Sequence, residues 1–108
     1  MAELQFEWDE NKNNINIKKH GVSFEYAIRV FRDPFRLDLY DEENSGINPY
    51  GVWEDRYIAI GYVNDILYVV YTIRAENDDE VVRIISARQA EASEIREYIQ
   101  VRPGGENL

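Results

Sequence analysis

The chain has 108 residues, 21 of them Asp or Glu against 12 Lys or Arg, for a formal net charge of −9. This length builds one domain, and the lack of cysteine excludes disulfides, thiol catalysis and thiolate zinc sites. A single histidine, His20, excludes a multi-histidine metal centre, and no apolar run approaches the roughly 20 residues that a membrane-spanning helix needs.

In chain order, Met1-Ala2-Glu3-Leu4 carries neither a basic n-region nor an apolar h-region. No signal peptide is expected, which with the absence of cysteine fits a reducing, cytoplasmic compartment. Leu4, Phe6 and Trp8 alternate with polar residues and predict a short strand. Asp9 can cap a helix running to about Lys19, and Gly21 suits the position just after it. Ser23 can cap a second helix, whose Phe24, Ala27, Ile28 and Phe31 recur at helical spacing and bury one stripe. Asp33-Pro34 ends it.

Three or four strands follow. Phe35, Leu37 and Leu39 alternate with Arg36, Asp38 and Tyr40. Residues 41–51 read as a flexible loop, with Asn44-Ser45-Gly46 and Asn48-Pro49-Tyr50-Gly51 as turn signals. Residues 56–62 are aromatic and β-branched, and residues 66–73 are nearly all apolar, as expected of a central strand. Val63-Asn64-Asp65 is a short hairpin link between them. Residues 81–85 form a further strand, reached through the acidic turn at 75–80. Links this short join antiparallel strands. Ser86-Ala87-Arg88-Gln89 has the Ser-x-x-Gln spacing of a capping box and predicts the start of a last helix with Ala92, Ile95 and Ile99 on its apolar stripe. Pro103-Gly104-Gly105 stops that helix, so residues 1–102 are expected to form one domain and 103–108 a flexible tail. The order is β-α-α, a strand meander, then α, which is an α+β domain with helices on one face of a sheet.

The acidic balance disfavours a polyanionic partner, but the acid is unevenly placed. Residues 41–43 and 76–80 hold seven carboxylates and no base, leaving 14 acidic against 12 basic residues elsewhere. A local basic site is therefore compatible with the sequence. Lys12, Asn16, Lys19 and His20 share one face of the first helix, which suits either an anion site or a solvated face with cations near the helix C-terminus. If residue 74 pairs with residue 81, then Thr72, Arg74 and Arg83 share a sheet face, whereas a slip of one separates them. Arg56 opens another strand beside Glu54 and Asp55. Arg88, read in the first turn of the last helix, would combine a guanidinium with free backbone N–H groups. Arg, Lys and His are the groups that cleave RNA without a metal: one moves the 2′-hydroxyl proton, and cations stabilise the phosphorane. The acidic segments look like solvated loops rather than a metal site. Trp8 reads as a core anchor. Trp53, in a loop-like setting, is the better candidate for a partner contact.

The residues Phe6-Glu7-Trp8-Asp9, Lys12, Asn16, Lys19-His20-Gly21-Val22-Ser23-Phe24-Glu25, Ala27, Phe31 and Asp33 resemble the opening of the BrnT family of toxins, the older DUF497 group. Asp55-Arg56-Tyr57, Ile60-Gly61, Val69-Val70-Tyr71-Thr72, Arg74 and Arg83-Ile84-Ile85-Ser86-Ala87-Arg88 with Ala90 continue the likeness in order, over residues 6 to about 98. The resemblance implies a RelE-like fold: an antiparallel sheet of about four strands with two N-terminal helices and one C-terminal helix. It also implies a metal-independent, cofactor-free endoribonuclease toxin of a type II toxin–antitoxin pair. Its partner would be a BrnA-type antitoxin, with operator DNA bound only through that antitoxin and higher-order assembly open. The motif positions suited to catalysis are His20, as acid or base, and Arg56, Arg74, Arg83 and Arg88, as phosphate and transition-state ligands, with Lys12 and Lys19 binding RNA. Tyr26 stands where the family usually has a second Glu, and the loop from Asp41 to Trp53 is long and acidic. The competing expectation is a catalytically weak, toxin-like domain kept as an antitoxin-binding, operon-regulating subunit.

Overall fold

Strand alternation and a capping aspartate set the first elements of the computed structural model, which describes residues 4–101. The predicted tail from Pro103 lies outside the described residues. β1 is Gln5–Glu7. The Asp9 side chain accepts from the Lys12 N–H to open α1, Glu10–His20, and Gly21 closes it at φ 72°, donating to the Ile17 carbonyl. That left-handed geometry strains any residue with a Cβ, which is why glycine stands there. Ser23 caps α2, Phe24–Ala27. The chain then tightens into a 3-10 turn over Ile28–Arg32 instead of continuing as an α-helix. Phe24, Ala27 and Phe31 are buried as the periodicity predicts, and the tighter turn adds Val30.

The remaining strands are β2, Leu37–Tyr40; β3, Gly46–Ile47; β4, Trp53–Glu54; β5, Tyr57–Tyr62; β6, Ile66–Glu76; and β7, Asp79–Gln89. The last helix is α3, Ala92–Val101. The main sheet has the order β1-β7-β6-β5-β2, with β6 in the centre as expected. β6 and β7 are joined by Asn77-Asp78, both at positive φ, the tight-turn geometry that matches the twist of a hairpin.

Four expectations are corrected. The sheet has five strands, not about four, and it is mixed, because β1 pairs parallel to β7. Ser86–Gln89 continue β7, where Val70, Val69, Tyr68 and Leu67 pair with them in turn. Pairing to a central strand overrides the local capping signal, and α3 starts later, with the Glu94 carboxylate accepting from the Glu91 N–H at 2.8 Å. The loop at residues 41–51 is not wholly irregular, since β3 and β4 pair as a separate two-stranded hairpin. The helices also do not share one face. Phe24, Ala27, Val30 and Phe31 pack against Ala59, Leu67, Val69, Tyr71, Val82 and Ile84 on one side of the sheet. Tyr98 and Ile99 of α3 pack against Ile58, Ile60, Tyr68 and Val70 on the other.

α1 buries no apolar residue. Its two buried side chains are Asn13 and Asn16, at 1% and 6% exposure, while Ile15 and Ile17 face solvent. Asn16 Nδ2 donates to the carbonyls of Val22 and Ala87, both at 2.8 Å, and Oδ1 accepts from the Ala87 N–H at 3.2 Å. The N–H and C=O of one strand residue point the same way, and at Ala87 they point away from β6. The Asn16 amide therefore acts as one more strand residue on the edge of β7, beyond the end of β1. Asn13 Oδ1 accepts from the Phe24 N–H at 2.8 Å and its Nδ2 donates to Glu25 at 2.7 Å, which fixes α2 against α1. Asn16→Ala leaves the buried Ala87 N–H and C=O without partners and is expected to lower stability by about 2–3 kcal/mol, measured by urea unfolding. A loss within 0.5 kcal/mol would show that the edge is held by something else.

Candidate functional site

The sheet face opposite the N-terminal helices is covered by α3 at one end only. At the other end, register places polar residues in a row. Glu7 of β1 pairs with Arg83 of β7, and Arg83 pairs with Thr72 of β6. One residue beyond the last β5–β6 pair, Tyr57 with Tyr71, stands Arg56. At a strand spacing of about 4.8 Å, the Cα atoms of Arg56 and Arg83 lie about 10 Å apart across Thr72, a span two guanidiniums can close on one phosphate. Arg74, two residues along from Thr72, shares this face, because residue 74 does pair with residue 81 and the slip of one that the sequence left open does not occur.

Each arginine is held by a carboxylate. Arg74 donates to Glu7 through Nε at 3.0 Å and through Nη2, which also reaches Glu76 at 3.0 Å. Arg83 donates a single bond to Glu7, at 2.7 Å, so most of its five N–H donors are uncommitted. Arg56 pairs with Glu54 at 3.4 Å. Thr72 Oγ1 donates to the Asp55 carbonyl at 2.6 Å and fixes the chain just before Arg56. Two guanidiniums on one carboxylate have a titration consequence. The Arg74 hydrogen bond, opposed by partial desolvation and reinforced by the Arg83 bond and both positive charges, pulls the Glu7 pKa from 4.5 to about 2.

Arg88 is at the far end of β7, in a strand and not in the first turn of a helix. Its guanidinium lies flat over Tyr68, 3.9 Å from the ring centroid, and grips Glu94 of α3 through bonds of 2.8 and 2.9 Å. That bidentate pair raises the Arg88 pKa and lowers that of Glu94. Arg88 is five positions beyond Arg83, with four strand residues between them, about 15 Å along β7.

The structure thus brings Arg56, Arg74 and Arg83 together and leaves Arg88 apart. Lys12, Lys19 and His20 are exposed on α1, which lies along the outer edge of β7. Their side chains have no hydrogen-bond or ion-pair partner among the described residues. Asn16 does not join them as an anion ligand, because its amide is spent on Val22 and Ala87. The end of α1 lies beside the end of β7: Ile17 and Gly21 line one groove with Leu67 and Gln89. His20 therefore stands at the Arg88 end of the molecule. Sequence reasoning missed Glu7 and Glu94, the residues that hold the arginines. The signal for Glu7 was present, since Gln5 and Glu7 form the polar side of an alternating strand, but its partner strand is remote in sequence. Among the described residues no cluster of three His, Asp or Glu side chains converges as a metal-ligand set.

Comparison with protein families finds a match over residues 8–94 to the family described as ribonuclease toxin, BrnT, of type II toxin–antitoxin systems. No curated protein matches the chain.

Glu7 lies just outside that matched span, and its role is open to a direct measurement. A carboxylate whose pKa is depressed on folding adds stability that is complete above its unfolded value and is lost as pH falls through the folded one. The urea midpoint of the wild-type chain should therefore fall as pH drops from about 5 towards 2, and Glu7→Gln should lose stability at neutral pH and flatten that acid limb. Parallel pH profiles for the two proteins would show that the two guanidiniums do not act on Glu7.

Proposed function

Since the chain belongs to the BrnT family, the ribonuclease toxins of type II toxin–antitoxin systems, we propose that it is a metal-independent endoribonuclease of RelE-like fold, restrained by a BrnA-type antitoxin. The observation that carries this reading is the Arg83–Thr72–Arg56 row with Arg74 beside it, on a sheet face the N-terminal helices leave open. In the reaction the RNA 2′-oxygen attacks the adjacent phosphorus in line as its proton leaves. The bond from phosphorus to the 5′-oxygen breaks, that oxygen takes up a proton, and the products are a 2′,3′-cyclic phosphate and a 5′-hydroxyl. Positive charge at the non-bridging oxygens is the main requirement, and guanidiniums meet it.

Arg83, with most of its donors uncommitted, and Arg56 hold the phosphorane oxygens. Arg74 shares Glu7 with Arg83 and keeps both in place. Arg88, held in place by Tyr68 and Glu94, takes a neighbouring phosphate. His20, the expected acid or base, stands at the Arg88 end, about 15 Å along β7 from Arg83. That is too far to reach a phosphorane held by Arg83 and Arg56 directly, so its role rests on the family resemblance and is decided by the His20→Gln variant below. Lys12 and Lys19 hold flanking RNA along α1. Operator DNA is bound only through the antitoxin, and the toxin acts in the cytoplasm.

A second reading has its own observation. Arg56, Arg74, Arg83 and Arg88 each already face a carboxylate, and the chain carries a net charge of −9. Both weaken RNA affinity and suit a subunit that binds its antitoxin and regulates the operon with little catalysis. RNA cleavage and growth arrest by the wild-type chain separate the two readings. On the enzyme reading, Arg83→Ala and Arg88→Ala abolish growth arrest while fold and antitoxin binding persist. His20→Gln lowers the cleavage rate by about two to four orders of magnitude. Undiminished toxicity in the arginine variants would overturn the site, and full cleavage by His20→Gln would leave His20 as no more than the last residue of α1.

A further inference from the structure

The hairpin β3–β4 projects from the sheet with its apolar side chains in solvent. Ile47 and Trp53 are cross-strand partners, at 68% and 57% exposure, and Tyr50 at the turn is 90% exposed. Val52 and the nearby Tyr40 are exposed as well. Single exposed apolar residues need no explanation, but a contiguous group on one projection marks an interaction surface.

The group is held rigid. Asn48 Oδ1 accepts from the N–H groups of Tyr50 and Val52 at 2.9 and 3.0 Å, and Gly51 at φ 78° completes the turn. At the base, Ser45 Oγ accepts from the Arg56 N–H at 2.8 Å and donates to the Asp41 carbonyl at 2.7 Å. Trp53 Nε1 and Tyr40 Oη both donate to Asp55 Oδ1 at 2.8 Å, which locks two exposed rings side by side. Tyr40 packs edge-on to Tyr57, Tyr57 stacks on Tyr71, and Tyr71 packs edge-on to Phe31, so this surface is braced by aromatic contacts that reach the core. Preorganised aromatic residues lose little entropy on binding and are the usual centres of binding energy.

Charge selects the occupant. Residues 38–55 hold six carboxylates and no Lys or Arg. Asp41 is buried and Asp38 and Glu54 pair with Arg36 and Arg56, which leaves Glu42, Glu43 and Asp55 as the exposed carboxylates not paired to a cation. Glu42 and Glu43 are exposed and make no hydrogen bond or ion pair among the described residues. This rim repels a nucleic acid and attracts cationic side chains. A second copy of so acidic a chain is repelled in the same way.

We infer that the β3–β4 hairpin, with Trp53, Tyr50 and Ile47 as anchors inside a carboxylate rim, is the docking surface for a segment of the antitoxin that carries aliphatic and Lys or Arg side chains together. This inference rests on the toxin–antitoxin reading and adds to it the place and the chemistry of the contact. The segment lays its aliphatic side chains on the exposed rings, and its cations meet Glu42, Glu43 and Asp55.

The test titrates the purified antitoxin encoded beside this chain into the full-length toxin by calorimetry. A Trp53→Ala/Tyr50→Ser variant should bind at least about 30-fold more weakly, with its thermal midpoint kept. A Glu42→Lys/Glu43→Lys variant should bind more weakly and should lose most of the salt dependence seen with wild type. Arg83→Ala should bind as wild type does. Wild-type affinity in both hairpin variants overturns the surface and leaves the antitoxin reading standing. No binding by the wild-type toxin overturns that reading and the surface with it. Hairpin variants that lose RNA affinity but keep the antitoxin overturn the choice of a protein occupant.

Discussion

One side-chain amide sets the geometry on the outer edge of β7. β1 covers that edge only opposite Val81–Arg83, and the backbone polar groups of Ala87 would otherwise be buried without partners, at a cost comparable to a lost hydrogen bond each. Asn16 satisfies both, and its remaining donor goes to Val22 just past the αL cap at Gly21. This explains why α1 can be a helix with no buried apolar stripe. It is held by hydrogen bonds from Asn13 and Asn16, so its register against β7 is fixed more sharply than sliding apolar contacts would fix it. The position of His20, one turn beyond Asn16, follows from that register.

The two faces of the sheet then take different work. The N-terminal helices and their aromatic residues close one face, and Gly61 shows how tightly: a Cβ there would stand 2.8 Å from Val30 Cγ1. α3 covers part of the other face, anchored by Tyr98, whose hydroxyl donates to Asp33 at 2.6 Å beside the turn that ends the 3-10 segment. The open remainder collects arginines, and an acidic chain can keep them there because each is matched to a carboxylate. Glu7 serves two at once. Such pairing costs phosphate affinity and fixes the guanidiniums before a ligand arrives, a trade that favours geometry over raw charge.

What was legible in the sequence was local or set by a short turn. Asp9, Gly21 and Ser23 announced their caps, and the acidic turn announced a hairpin, but only the structure, with Asn77-Asp78 at positive φ, chose the register that puts Thr72, Arg74 and Arg83 on one face. What failed was remote or competitive. The parallel pairing of β1 with β7 joins residues about 76 apart in sequence, beyond any periodicity, so Glu7 was not seen as the hub of the arginines. Ser86-x-x-Gln89 satisfied a capping pattern, yet those residues gain more from pairing with β6. Lys12, Asn16, Lys19 and His20 share a helical face by spacing, but spacing cannot say that Asn16 turns inward to bond a strand while its neighbours stay in water. The short strands β3 and β4 lie in a stretch whose turn residues read only as loop.

The net charge of −9 is then less a contradiction than a division of the surface. The sign changes within three residues: Glu54 and Asp55 close the acidic hairpin and Arg56 opens the arginine row. Thr72 ties the two regions together, since its side chain binds the Asp55 backbone while its strand position lies between Arg56 and Arg83. Tyr40 and the Asp55 side chain lie toward the Tyr57 side of the sheet and Arg56 toward the Thr72 side, so a partner seated on the hairpin flanks the row without having to bind the guanidiniums themselves. On the docking proposal, antitoxin and RNA would use adjacent surfaces of opposite sign, and the acidic balance that weakens the case for RNA binding over the whole chain is the balance that favours a basic partner at the hairpin.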